Sequence, residues 1–277
     1  MKILTKSGSL YIDKKSFFHK TNGNIKFLLL ILWTVFIFLF MDIRIFIFMI
    51  ILGFLMLKAA KIPFKSYSKL LWFVIAFTIF NSVFLILITP QYGSQLSGKY
   101  TQFIKLNNFV ITYETLFYTL TLSFKYISIL PVTLLFILTT HPSKFAASLN
   151  KVGISYKIAY AVNIALRYIP DVSDEMRNIM HAQEVRGVYF NKKEAGVFKV
   201  LKNYITILIP LLISSLNRVE VISNAMDLRG FGRNKKRTWY NYDGFNINDM
   251  VLLVFSLALI PVGIYLKGKY FSNFWCP

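Results

Sequence analysis

Among 277 residues there is one cysteine, Cys276, next to the last residue, three histidines, and only 12 Asp+Glu against 32 Lys+Arg. A single cysteine excludes an internal disulfide framework and any cysteine-rich metal site. His19, His141 and His181 stand far apart, with no Cys or carboxylate cluster at ligand spacing, so no metal is expected on this chain. No combination of nucleophile, base and orienting group stands out, and the chain is expected not to be an enzyme. The first 26 residues are polar and lysine-rich, without the short apolar core and small-residue cleavage site of a secretory leader. Charge itself is scarce, at 16%, while 56% of residues are hydrophobic and 17% aromatic. That is more apolar material than a soluble core of this length can hide, so a lipid bilayer is the first expected partner.

Five apolar runs are long enough, or nearly so, to cross a hydrocarbon core of about 30 Å. They are Ile25 to Met41, Ile43 to Leu57, Leu70 to Ile88, Thr112 to Thr139 and Ile247 to Leu266. The first two are short and separated only at Asp42 and Arg44, which reads as a tight helical hairpin or, alternatively, as one re-entrant element. Of the 32 cations, 26 lie at or before the start of the first run, between the second and third, or between the fourth and fifth. The positive-inside bias then places the N-terminus and these segments in the cytoplasm and the C-terminus outside, in a multi-pass protein of the cell membrane. Topology accounts for the formal charge of +20, and nucleic acid is not needed to explain it.

The stretch from about His141 to Asn246 is too long for a loop and too apolar for a linker, yet has no 18 uninterrupted apolar residues. Within it SKFAASLNKV, SYKIAYAVNIALRYI, DVSDEMRNIMHAQEVRG and FKVLKNYITILIPLLISSLNRVEVISNAMDLRG space apolar residues at helical intervals, with charges opposite. This predicts long amphipathic helices lying along or under the membrane. Pro170 and Pro210 interrupt two of them and are expected to bend or break the helix. Ala146, Ala147, Ala159, Ala161 and Ala165 either permit close helix approach or serve simply as good helix formers.

Two stretches in this region repeat one pattern. AQEVRGV (Ala182 to Val188) and AMDLRGF (Ala225 to Phe231) each run Ala, any residue, acid, aliphatic, Arg, Gly, apolar, and their arginines lie 43 positions apart. In each, Arg falls at the end of a helical pattern, and Gly follows as the residue suited to the left-handed conformation past a helix C-terminus. Ala182 and Ala225, four residues before Arg186 and Arg229, share the arginine's face and leave room beside it. Glu184 and Asp227, two residues before, do not share it. Taken singly, either Arg-Gly is an ordinary helix ending. Two matched cationic ends on one subunit also suit docking onto a pair of similar partners, each with an acid-lined groove.

At these residues the chain resembles the transmembrane T component of energy-coupling factor transporters, the EcfT/CbiQ-like family. ALRYIPDVSDEMRNIMHAQEVRG and IPLLISSLNRVEVISNAMDLRGFG are similar to its two coupling segments, and TTHPSKFAASLNKVGI to their lead-in. The likeness extends over about residues 15 to 266 and is sharpest from 139 to 237. In that family two cytoplasmic coupling helices end in Ala-Arg-Gly motifs that dock into two ATP-binding-cassette subunits. The matching positions are Val185-Arg186-Gly187 and Leu228-Arg229-Gly230, with Val185 and Leu228 standing where alanine is frequent. The TNGN before Ile25 also lacks the proline common there. The resemblance implies that Arg186 and Arg229 pair with acidic side chains of the ATPases. It further implies that ATP and Mg are bound by those partners and not by this chain. Motion would pass to a separate substrate-binding S component that carries a vitamin or metal ion.

Other signals are weaker. GSQLSGKY (Gly93 to Tyr100) nearly fits a phosphate-binding loop, but Tyr100 replaces the magnesium-binding hydroxyl and no strand is predicted before it. Lys125 is the one formal charge deep inside a run; a structural role bonding backbone carbonyls or Asn81 is preferred over an ion path, because the runs lack acids. RNKKRTWYNY (Arg233 to Tyr242) reads as an interfacial anchor for the last span. The expected fold is therefore an all-α integral membrane protein of about five transmembrane helices plus long amphipathic cytoplasmic coupling helices. Its regions are 1–139 (N-terminal segment and four spans), 140–246 (coupling helices) and 247–277 (last span and external end). The rival readings are a self-sufficient secondary transporter and a membrane scaffold.

Overall fold

Long runs of Leu, Ile, Phe and Met fold as helices because a backbone leaving water must satisfy its own N–H and C=O groups. The computed structural model describes residues 11–12, 14, 16–98, 100–106, 109–151, 153–190, 196–234 and 244–269. Cys276, Lys99 and most of the segment 233–242 lie outside the described residues. In chain order the elements are α1 (Phe17–Lys20), α2 (Gly23–Leu39), α3 (Ile43–Ala59), a 3₁₀ turn (Phe64–Ser66), α4 (Ser68–Ile88) and α5 (Tyr92–Ser97). Then follow β1 (Gln102–Leu106), β2 (Phe109–Thr112), α6 (Tyr113–Thr139), α7 (Pro142–Lys151), α8 (Tyr156–Val185), α9 (Val197–Leu228) and α10 (Ile247–Lys269). The described residues form two compact units, 11–141 with 244–269, and 142–234.

In the first unit α6 is the central post, with α2, α3, α4 and α5 packed on it and α10 packed on α2. Leu29, Trp33 and Ile37 of α2, Phe46, Met49 and Leu57 of α3, and Val132, Leu135 and Leu138 of α6 make the core. The Trp33 indole donates to the Ser128 carbonyl at 3.0 Å. Gly53 permits the close crossing of α3 and α6: a Cβ there would stand 2.7 Å from the Pro131 Cβ. α4 is apolar nearly all round, with only Thr78 buried and Trp72, Phe73, Phe77, Phe80 and Phe84 pointing outward, as a lipid-facing helix requires.

Buried polar groups fix which helix ends lie together. Lys26 is fully buried and donates from Nζ to the Thr139 carbonyl at 2.9 Å, setting a cation on the last turn of α6, where the helix dipole favours it. Asp249, also fully buried, accepts from the Asn22 backbone N–H (2.7 Å), the Asn22 amide (2.6 Å) and the Asn246 N–H (2.9 Å). The start of α2, the end of α6 and the start of α10 therefore share one end of the unit. α2 and α3 are separate helices of 17 residues joined through Phe40–Asp42, and the Asp42 carboxylate caps α3 by accepting from the Arg44 N–H at 2.9 Å. Each is about 25 Å long, short of a full hydrocarbon core. Lys125 meets their junction: Nζ lies 3.9 Å from the Met41 sulfur and 4.6 Å from the centre of the Phe38 ring, and these are its described partners in place of Asn81 or backbone carbonyls.

This is an all-α, multi-pass membrane protein with one small addition, the antiparallel β1–β2 hairpin, in which Lys105 pairs with Val110 and Gln102 with Thr112. GSQLSGKY contributes to α5, which follows helix α4 and no strand. Gly93 is needed there for packing, since a Cβ would lie 2.4 Å from the backbone of Glu114 and Thr115. Pro170 and Pro210 stand inside continuous α8 and α9; neither ends its helix. α9, read from sequence as amphipathic, is also long and apolar enough by composition to cross a membrane, as are α4, α6 and α10. The reason is local: no charge lies between Lys202 and Arg218. Substituting Gly53→Val should overpack the α3–α6 crossing and cost about 1–3 kcal/mol. A thermal scan of the detergent-solubilised protein should show a lowered midpoint, and an unchanged midpoint would contradict this packing.

Candidate functional site

The repeated motif folds the same way twice. Arg186 (φ −83°, ψ 7°) and Arg229 (φ −86°, ψ 9°) are the last near-helical residues of α8 and α9. Gly187 and Gly230 then take φ of +85° and +64°, where a side chain is disfavoured. At the first tip Gly187 N–H donates to the Glu184 carbonyl (2.9 Å) and Val188 N–H to the Gln183 carbonyl (3.0 Å). At the second, Gly230 N–H donates to Asp227 (2.9 Å) and Phe231 N–H to Met226 (2.9 Å). This is a Schellman ending at both sites, satisfying carbonyls that a helix terminus leaves open.

What the tips present is equally matched. Val185 and Leu228 are each 90% exposed, so each tip carries an open aliphatic side chain. Arg186 and Arg229 are exposed beside them, as are Ala182, Glu184, Ala225 and Asp227. Glu184 stands 3.1 Å from the His181 ring. Each tip thus offers a cation, an aliphatic knob and an acid in one turn, chemistry suited to a carboxylate-bearing groove with an apolar floor.

Contacts outside the motif orient the two tips. Glu175 of α8 accepts from the Ser214 hydroxyl and pairs with the Arg218 guanidinium, both on α9, and Arg218 lies 5.6 Å from the centre of the Tyr168 ring. Beyond the first tip Phe190 packs on Tyr204 at 5.4 Å, and the Asn203 amide donates to the Tyr189 carbonyl at 2.8 Å. Beyond the second, Phe231 packs on Tyr160 (4.9 Å) and Tyr156 (5.6 Å) at the start of α8. Later residues of α9 meet earlier residues of α8, so the helices are antiparallel and each tip is tied to the base of the other helix. Glu175 and Arg218 both stand eleven residues before their tip arginine. At 1.5 Å per residue, each tip is about 16 Å from that contact and the two point in opposite directions. Buried Ala146, Ala147 and Ala159 let α7 pack closely on α8, whereas Ala161 and Ala165 are exposed helix formers.

Sequence reading singled out the tips but passed over Glu175, Ser214, Arg218 and the aromatic ties. One signal was present: the 43-residue offset between the arginines also separates Glu175 from Arg218, opposite charges at equivalent places. Among the described residues no group of three or more His, Cys, Asp or Glu is placed to hold a metal ion. Gly187→Ala and Gly230→Ala should each cost about 1 kcal/mol in strain. Amide exchange at Val188 and Phe231 should accelerate about five-fold by mass spectrometry, and unchanged protection would contradict the left-handed caps.

The CbiQ family, described as "Cobalt transport protein", matches residues 14–240, a range that includes both tips. The chain is 27% identical over 269 residues to the "Energy-coupling factor transporter transmembrane protein EcfT" of Exiguobacterium sibiricum, covering 94% of this chain and 98% of that one. It is 29% identical over 268 residues to the protein of the same name from Lactococcus lactis subsp. cremoris, covering 94% and 96%. It is 28% identical over 255 residues to that of Bacillus selenitireducens, covering 89% and 91%. The family match over residues 14–240 covers most of the chain and agrees with its helical membrane architecture: the chain belongs to the CbiQ family of transport proteins.

Proposed function

We propose that this chain is the transmembrane coupling component of an energy-coupling factor importer, seating two ATP-binding-cassette subunits on its two Arg-Gly tips. The observation that carries the reading is the matched pair of exposed tips, alike in backbone and in the side chains offered, at opposite ends of one antiparallel helix pair. A single docking site needs one tip; two similar motor subunits need two. Arg186 and Arg229 supply charge-assisted pairing to carboxylates, and Val185 and Leu228 fill the apolar part of each groove. The chemistry of ATP and its Mg belongs to the partners, and this chain transmits their motion.

The same reading keeps the tips on one side of the membrane, which requires α9 to lie at the surface and not to span. Eight aliphatic residues from Ile205 to Leu216 favour insertion by about 4 kcal/mol on an insertion scale. Were α9 to cross, α8 packed on it would bring Arg167, Asp171, Asp174, Glu175 and Arg177 with it, at roughly 2.5 kcal/mol or more for each ion near the bilayer centre. The charges outweigh the aliphatics. The positive-inside bias puts this surface in the cytoplasm. Ile205, Leu208, Leu212 and Leu216 are exposed along one stripe of α9, and a membrane-embedded S component is the subunit suited to cover it.

Reversing both tip charges, Arg186→Glu with Arg229→Glu, should abolish co-purification of the ATPases. It should also lower ATP-driven substrate uptake into reconstituted vesicles at least ten-fold. Retention of both would sink the docking role.

A further inference from the structure

Aromatic contacts tie the ends of α8 and α9 together, and apolar packing of that kind is non-directional, so it leaves the helices free to slide or roll at their crossing. Away from those ends, Glu175 joins the two helices through a charged contact. On α8, Tyr168 and Glu175 are seven residues apart and share a face. On α9, Ser214 and Arg218 are four apart and share another. Glu175 engages both α9 residues, one with each carboxylate oxygen, while Arg218 also lies over the Tyr168 ring. The side chains of Arg218 and Glu175 are 30% and 21% exposed, so the pair is mostly removed from water. A slip of either helix would leave a poorly hydrated charge without its partner.

We propose that Glu175 and Arg218 form a positioning pivot that fixes the register and crossing of α8 and α9, so that the two Arg-Gly tips are held as equal arms about one point. Equal arms follow from the chain, since both residues stand eleven positions before their tip arginines. A polar contact placed off-centre would give two ATPases of similar size unequal leverage on one platform. The lever role rests on the coupling function proposed above; the register-fixing role does not.

The test uses the full chain in lipid nanodiscs, carrying Cys276→Ser and spin labels at Val185→Cys and Leu228→Cys, with inter-label distances measured by double electron–electron resonance. The parent should give one narrow distance. Glu175→Gln or Arg218→Gln should broaden it at least two-fold or split it, Arg218→Lys should broaden it less, and the exchange Glu175→Arg with Arg218→Glu should narrow it again. Distances as narrow in both single variants as in the parent would overturn the pivot. Should a single variant fail to fold, rescue of a folded, narrowly spaced pair by the exchange supports the proposal, and a folded exchange variant with dispersed distances overturns it. In the assembled transporter the single variants should lower substrate moved per ATP hydrolysed several-fold while ATPases still co-purify. Failure of the unlabelled natural chain to bind ATPases would refute the docking function and leave the distance result to judge the pivot.

Discussion

An ionised side chain at the centre of a bilayer costs about 2.5–3.5 kcal/mol, and the placement of such side chains decides how this protein is arranged. The runs that become α4, α6 and α10 are almost free of them: the cations of α4 and α10 stand near their ends, and α6 carries one, Lys125, near its middle. Where charge enters the first unit it is held: Lys26 by the end of α6, Asp249 by Asn22 and Asn246, Lys125 against a sulfur and an aromatic ring. In the second unit charge is dense on α8, and α9 cannot enter lipid without it. On the proposed coupling role, a stretch of α9 apolar enough to span is kept as a surface.

The second constraint is the helix terminus. An α-helix leaves carbonyls open at its end, and closing them with a Schellman turn demands a left-handed residue, here glycine twice. The same turn that ends the helix projects the preceding arginine and aliphatic side chain into open space. The antiparallel pairing of α8 and α9 then sends the two projections opposite ways, and the aromatic ties of Phe190 to Tyr204 and Phe231 to Tyr160 hold each near the other helix's base.

Much of this was legible in the sequence because it depends on local order. The five apolar runs correspond to α2, α3, α4, α6 and α10, and the repeated Arg-Gly marks both helix ends, since hydrophobic period and cap chemistry are written over a few consecutive residues. What was not legible depends on distant pairing. Lys26 meets Thr139 across 113 positions and Asn22 meets Asp249 across 227, contacts that no periodicity announces. Lys125 found Met41 and Phe38 because α2 and α3 are short and their junction lies beside the middle of α6. The β1–β2 hairpin is too short for its alternation to stand out.

The central claim is that both tips seat on nucleotide-driven partners at once. Photo-crosslinking amino acids placed at 185 and 228, in the assembled transporter in native membranes, test it most directly. Each position should yield an adduct with an ATP-binding-cassette subunit. Adducts with lipid alone, or from only one of the two positions, would contradict it.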